Sequence, residues 1–179
     1  MADSTGLIAV GRRVQILGVG HHAFGVLRLG QGAGAGEVWA VGARLGLDLP
    51  QTPNRAVGSR PRLLWTAPLE WTVIDASAEQ IMALRGLGAD MLSHYADLTD
   101  ARAGFRILGD DAARLLGAEC PLDLDPAVMP EDRCAQSVFA GMSILLDRRA
   151  TEDGLRLYVD ISLAAHLNAW LIAAGKGLS

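Results

Sequence analysis

Residues 61–75 read Pro-Arg-Leu-Leu-Trp-Thr-Ala-Pro-Leu-Glu-Trp-Thr-Val-Ile-Asp, two apolar, β-branched runs parted by Thr66-Ala67-Pro68-Leu69. A link of that length joins antiparallel neighbours and is far too short for the crossover of a parallel pair. "PRLLW" and "EWTVID" are therefore expected to form a hairpin. Just beyond it, Ser77 opens a helix: Gln80 completes a capping box, and Ile81, Leu84 and Leu87 recur on one helical face. A hairpin followed by a helix on one side of it belongs to an antiparallel α+β layer, not to a parallel doubly wound sheet.

Toward the N-terminus, "RRVQILG" (12–18) and "FGVLRLG" (24–30) read as strands bounded by glycines. Val38, Val41, Gly42 and Leu45 then follow helical spacing, with Gly46 as the stop. Toward the C-terminus the same order recurs. "AGFRILG" (103–109) is a strand with Phe105 and Ile107 on one face and Arg102 and Arg106 on the other. "DDAARLLG" is a short helix, and "CAQSVFAG", "MSILLDR" and "LRLYVD" are strands. Asp160 caps a last helix whose buried stripe is Leu163, Leu167, Trp170, Leu171 and Ala174. "FGVLRLG", a helix and "LGLDLP" thus echo "FRILG", a helix and "CPLDLDP". The expected architecture is α+β: two similar two-layer halves with antiparallel sheets, 12–94 and 95–179, packed as one compact unit.

Composition narrows the function. Of 179 residues, 50% are hydrophobic and 20% charged, which is globular composition. A net charge of -4 provides no footprint for nucleic acid. "MADSTGLIAVGRR" has no basic residue before its brief apolar run, so no secretory signal is expected there. "ISLAAHLNAWLIAAG", interrupted by His166 and Asn168, is too short for a bilayer span, which takes roughly 20 residues. Two cysteines make no disulfide framework. The expectation is a cytoplasmic protein without membrane or nucleic-acid partners.

Four stretches invite a chemical reading. Gly30-x-Gly32-x-x-Ala35, with Asp48 beyond, has the spacing of a dinucleotide fingerprint. That chemistry needs the acid at the end of a second, parallel strand, and "LDLPQTPNRAVG" offers none, so the glycines read as a flexible loop. Gly20-His21-His22 lacks the third and fourth ligands of a zinc site, and His94 and His166 lie far away, so no metal is expected. Cys120 and Cys134 have neither knuckle nor redox spacing, and Cys120 follows a helix C-terminus rather than the helix N-terminus or base that activates a thiolate. Asp123 and Asp125 alternate with Leu122 and Leu124, as in a short packed strand or turn. Arg55, Arg60 and Arg62, in "NRAVGSRPR", form a basic loop that could contact a partner.

"RLLWTAPLEWTVIDA", "YADLTDARAGFRILGDDAARLLGAECPLDLDP", "CAQSVFAGMSILLDRR" and "LRLYVDISLAAHLNAWL" together resemble the gamma subunit of heterotetrameric sarcosine oxidase, from about Arg13 to Ala174. "CPLDLDP" and "CAQ" are the most specific marks, and Leu69 stands where the family often carries an acid. The resemblance implies a fold shared with the folate-binding domain of the glycine-cleavage aminomethyltransferase and the tRNA-modifying GTPase. It implies alpha, beta and small delta subunits as partners. FAD, FMN, NAD and tetrahydrofolate belong to those partners, and this chain binds none of them. The reaction implied for the complex is oxidation of sarcosine to glycine, with hydrogen peroxide and a one-carbon unit as further products. The gamma chain would be a docking subunit and not the seat of that chemistry.

The resemblance also implies that this chain lacks the acid pair of the aminomethyltransferase, since Leu145 and Leu146 fall in "GMSILL" where acids would stand. No catalytic residue is therefore expected, and both cysteines read as structural. A free-standing folate-binding or one-carbon-transfer protein is the alternative. A homodimeric regulatory module is compatible with the composition.

Overall fold

The hairpin of residues 61–75 lies inside a five-stranded antiparallel sheet. The computed structural model describes residues 7–10, 13–20, 22–89, 92–149 and 154–176. Its elements in chain order begin with β1 (Leu7–Val10), β2 (Gln15–Val19), β3 (Phe24–Leu29), α1 (Ala35–Leu45), β4 (Ala56–Val57) and β5 (Arg62–Ala67). There follow β6 (Glu70–Ile74), α2 (Ala78–Arg85), β7 (Ser93–Asp97), β8 (Arg102–Leu108) and α3 (Ala112–Gly117). The chain closes with β9 (Cys134–Phe139), β10 (Met142–Arg148), β11 (Leu155–Asp160) and α4 (Ala164–Lys176).

Two compact units result: His22–Thr99, and Met1–His21 together with Asp100–Ser179. The expected division at 12–94 and 95–179 thus falls elsewhere. The reason is strand pairing: β2 runs antiparallel to β8, Gln15 opposite Leu108 and Val19 opposite Gly104, and so joins the later sheet.

In the His22–Thr99 unit the sheet order is β4-β5-β6-β3-β7. Alternation sends Leu27, Leu29, Leu63, Trp71 and Val73 to one face, where they form a core with Val38, Val41 and Leu45 of α1 and Leu84 of α2. Fully burying each such side chain is worth about 1.5–3 kcal/mol. Helix α1 stops where Gly46 takes a left-handed φ of 71° and donates to the carbonyls of Ala43 and Gly42. Helix α2 starts at the expected capping box, with Ser77 Oγ accepting from the Gln80 amide at 3.1 Å and Gln80 Oε1 accepting from the Ser77 amide at 2.9 Å.

In the other unit the order is β1-β2-β8-β11-β10-β9. Its core joins Ile16, Phe105, Ile107, Ile144, Leu146 and Leu157 from the sheet to Leu115 and Leu116 of α3 and Leu167 and Leu171 of α4. Trp170 meets Phe139 edge to face, with ring centroids 4.6 Å apart. Asp160 accepts from the Ser162 amide and opens a single helical turn, Ile161–Leu163, before α4.

Both sheets bury residues on the second face as well. In one unit these include Leu64 and Ile74, each 0% exposed, with Arg62 and Thr72 buried on the same face; in the other they include Asp147, also 0% exposed.

Candidate functional site

The cysteine loop is a fastening. Cys120, buried, lies just past the end of α3, where its amide donates to the Leu116 carbonyl at 3.0 Å. Its thiol lies 3.7 Å from Ser137 Oγ. Asp123 Oδ1 accepts from the Asp125 amide at 2.9 Å, and Asp125 Oδ1 accepts from the Ala127 amide at 2.8 Å. These are turns closed by one oxygen of each Asp side chain on its own backbone. Leu124 and Met129 point into the core between them. Arg148 reaches from β10 to donate through Nη2 to the Leu124 carbonyl at 2.5 Å, and burial pulls its pKa below the usual arginine range. "PLDLDP" is therefore a turn-rich loop and not a strand.

The arginine loop divides. Arg55 and Arg60 are exposed. Arg62 is buried at 8% exposure, so it cannot present a surface charge. It sits in β5 opposite Ile74, and its Nη1 donates to the Gly58 carbonyl at 3.1 Å. The guanidinium ties the loop down from inside. β4, absent from the sequence reading, pairs Ala56 with Leu64 and Val57 with Leu63 and shapes the same loop.

The glycines after β3 lack the parallel-strand setting of a dinucleotide fingerprint. Both sheet neighbours of β3, β6 and β7, run antiparallel to it, so no parallel strand end stands beside the loop. The Gly34 amide is taken by Glu37 Oε2 at 2.9 Å. His21 lies outside the described residues. His22 is buried and meets Phe24 edge to face. Among the described residues no three His, Cys, Asp or Glu side chains are grouped to hold a metal.

The cluster that sequence reading missed lies on the second face of β10 and β11. Asp147 stands opposite Cys134 on β9 and Arg156 on β11. Its Oδ2 accepts from Arg149 Nε at 2.8 Å, with the side chains 0% and 7% exposed. Arg149 Nη2 lies 3.5 Å from the Tyr158 hydroxyl. Burial pushes the Tyr158 pKa up, against the pull of the Arg149 and Arg156 charges. The phenol therefore stays protonated. A carboxylate so enclosed has no access to a solvent-borne substrate. The signal was present as Asp147-x-Arg149, two charges two positions apart at the end of the expected strand "MSILLDR", and hence on one face if that strand runs one residue further. Leu145 is half-buried on this same face opposite Tyr158, whereas Leu146 is fully buried in the core, so neither position supplies an acid.

The sarcosine oxidase, gamma subunit family model matches residues 30–176. The chain belongs to that family. Within it, the sarcosine oxidase subunit gamma of Corynebacterium sp. (strain U-96) is 28% identical over 138 residues, covering 75% of this chain and 67% of that protein. One chain of the heterotetrameric sarcosine oxidase from Corynebacterium sp. U-96, solved in complex with pyrrole 2-carboxylate, superposes with a TM-score of 0.86 at 26% identity. That superposition covers 99% of this chain and 91% of the other. The glycine cleavage system aminomethyltransferase T from Bartonella henselae shares the fold, with a TM-score of 0.65 at 14% identity. It matches 89% of this gamma-family chain but only 45% of the aminomethyltransferase. Both likenesses agree with the α+β class and the antiparallel sheets. No helix among the described residues is long and apolar enough to cross a membrane.

Proposed function

We propose that this chain is the gamma-type subunit of a heterotetrameric, sarcosine-oxidising complex, acting as a shape-holding and docking element. Its alpha, beta and delta partners would hold FAD, FMN, NAD and the tetrahydrofolate site. The observation that carries this reading is the extent of the likeness. The superposition on one chain of the heterotetrameric oxidase spans nearly all of both chains, so the likeness is to a whole subunit and not to a shared module.

The chemistry of the described side chains supports the passive role. In the cysteine loop one oxygen each of Asp123 and Asp125 accepts from the loop's own backbone. The buried carboxylate nearest the expected acid positions is spent on Arg149. General-base assistance requires a carboxylate held against a substrate proton; Asp147 is shut off from solvent, and Asp123 and Asp125 stand on an exposed loop. Nothing at Gly30–Gly34 fits a dinucleotide, so no cofactor step is assigned to this chain. Arg55 and Arg60 remain as the exposed part of the partner loop, without Arg62.

Co-expression with the other subunits of the oxidase tests the proposal. Co-purification as one assembly with amine-oxidising activity is expected. A chain that stays monomeric beside them, yet takes up reduced folate saturably in calorimetry, would instead support the free-standing folate-binding reading.

A further inference from the structure

We infer that the Asp97–Thr99 turn is a latch on the His22–Thr99 unit. Its Thr99 hydroxyl ties the last strand to the first, and without it the unit opens at its ends while the core stays packed. The two ends lie side by side, because β3 begins at Phe24, β7 finishes at Asp97, and Gly25 stands opposite Asp97. The Leu98 amide donates to the Phe24 carbonyl at 2.8 Å. The Phe24 amide in turn donates to Thr99 Oγ1 at 3.2 Å, a side-chain bond between residues 75 positions apart.

A hydroxyl has a single proton to give, and an ionised carboxylate can only accept. Thr99 Oγ1 lies 2.7 Å from Asp97 Oδ1, so its proton is committed there. The Thr99 amide donates to the same oxygen at 3.1 Å, and Arg85 Nη2 of α2 holds the other, Oδ2, at 2.8 Å. With Asp97 fixed from both sides, the lone pairs of Thr99 Oγ1 are left for the Phe24 N–H. Asp97 is thus a positioning residue: it orients the hydroxyl that carries the bond. The end of α2, the end of β7 and the start of β3 are joined in one relay.

Asp160 and Ser162 show that the turn itself needs no such bond. Ser162 donates to Asp160 Oδ1 through its hydroxyl at 2.7 Å and its amide at 3.0 Å, and Arg102 Nη1 holds Oδ2 at 2.9 Å. The local geometry is the same, yet among the described residues no distant amide donates to the Ser162 hydroxyl. The long-range bond at Thr99 is therefore an addition to the turn. It also stands where little else resists opening. Phe24, Leu98 and Thr99 lie outside the core of Leu27, Leu63, Trp71 and Val73. β7 is an edge strand, held in the sheet by β3 alone. Segments with few core contacts are the ones that open locally, below the cost of global unfolding.

Native-state hydrogen exchange of the full chain, followed amide by amide in low urea, tests the latch in wild type, Thr99→Val, Thr99→Ser and Ser162→Ala. Thr99→Val keeps the side-chain shape and removes the hydroxyl. It should speed exchange at Phe24 and Leu98 by about tenfold or more. In that variant their exchange should hardly depend on urea, because a local opening exposes little surface. Exchange at Leu27, 0% exposed in an inner strand, should rise steeply with urea. Thr99→Ser, which keeps the hydroxyl, should stay near wild type, and Ser162→Ala should leave Phe24 and Leu98 at their wild-type rates in low urea. Wild-type rates at Phe24 and Leu98 in Thr99→Val overturn the latch. So does a urea dependence there as steep as that of Leu27, which would mean that the ends part only when the core does. Equal acceleration by Ser162→Ala, or failure of Thr99→Val to fold, overturns it as well, since the hydroxyl would then have no role particular to these ends.

Discussion

The two units share a plan of strand, helix, hairpin and helix, but they finish the second face of the sheet in opposite chemistry. In His22–Thr99 that face buries Leu64 and Ile74, and the one buried arginine, Arg62, spends a donor on a backbone carbonyl. In the other unit it buries the Asp147–Arg149 pair beside Tyr158. Apolar packing tolerates small shifts in registry, whereas a buried ion pair is satisfied in one geometry and costly in every other. The difference teaches that the later sheet is specified by charge placement and the earlier one by volume.

The largest expected effect breaks that contrast directly. Asp147→Leu leaves a buried guanidinium without its partner and should destabilise the chain by about 3–5 kcal/mol in urea unfolding. Asp147→Leu combined with Arg149→Leu should recover most of that loss, because both desolvated charges are then gone. Ile74→Val, the matching perturbation of the apolar face, should cost only about 0.5–1.5 kcal/mol. Equal losses for Asp147→Leu and Ile74→Val would show that charge placement does not distinguish the units.

Trp71→Phe comes next. Trp71 is 1% exposed, and its Nε1 donates to the Pro50 carbonyl at 2.7 Å, fixing the chain beyond α1 to the sheet. Loss of that bond and of ring volume should cost about 1–3 kcal/mol by the same urea measurement. A cost near zero would mean that the Pro50 contact contributes nothing to the earlier unit.

The units agree in one device, and acid sharpens that agreement. Asp97 Oδ1 accepts from Thr99 Oγ1 at 2.7 Å and from the Thr99 amide at 3.1 Å. Asp160 Oδ1 accepts from Ser162 Oγ at 2.7 Å and from the Ser162 amide at 3.0 Å. Both carboxyl pKa values are lowered, chiefly by those hydroxyls, with Arg85 and Arg102 as lesser causes. A depressed folded-state pKa contributes stability that is fully present above the ordinary carboxylate value and is lost as pH falls through the lowered one. Thr99→Ala and Ser162→Ala should each flatten the acid limb of a stability-versus-pH curve by lowering stability at neutral pH, with each variant converging on the wild type in acid, where the carboxyl is protonated. An unchanged limb in either variant would show that its hydroxyl does not set the titration.

Much of this was legible in the sequence where local chemistry agrees with the fold. The capping box of Ser77 and Gln80, the Gly46 stop and the two-residue alternation of Leu63, Trp71 and Val73 each name their element because a single residue or spacing suffices. β7 was not legible: "SHYAD" buries only Tyr95 and is a strand because β3 supplies a partner edge. β4 is two residues long and exists only as a partner of β5. The unit boundary was hidden for a similar reason, since the pairing of β2 with β8 joins residues far apart in sequence. At the candidate sites, the bland reading of the cysteines followed from their spacing. Burial of Arg62 did not, because a basic residue in a Pro/Gly stretch looks solvated until its strand is known. The Asp147 cluster went unread because two alternate charges on a strand commonly mark a wet face.

The smallest effect separates the two hairpins. Between β9 and β10, Ala140 and Gly141 both take positive φ, 48° and 77°, as a two-residue turn that matches strand twist requires. Alanine is a poor choice at that first position and asparagine a good one, so Ala140→Asn should stabilise the chain by about 0.5–1 kcal/mol. The turn between β5 and β6 looks equivalent, since Leu69 has a φ of 56°. It is not equivalent, because the Leu69 side chain brings far more apolar surface to the core of its unit than the Ala140 methyl, which also packs against its own core, and Pro68 before it has its φ fixed near −65° by its ring. Leu69→Gly relieves the backbone but gives up that apolar contact, and the two terms offset. The expected result is a rise in midpoint for Ala140→Asn and no rise for Leu69→Gly. A gain at Leu69 as large as that at Ala140 would show that backbone strain alone governs both turns, and that the partly buried leucine contributes nothing to holding the earlier sheet.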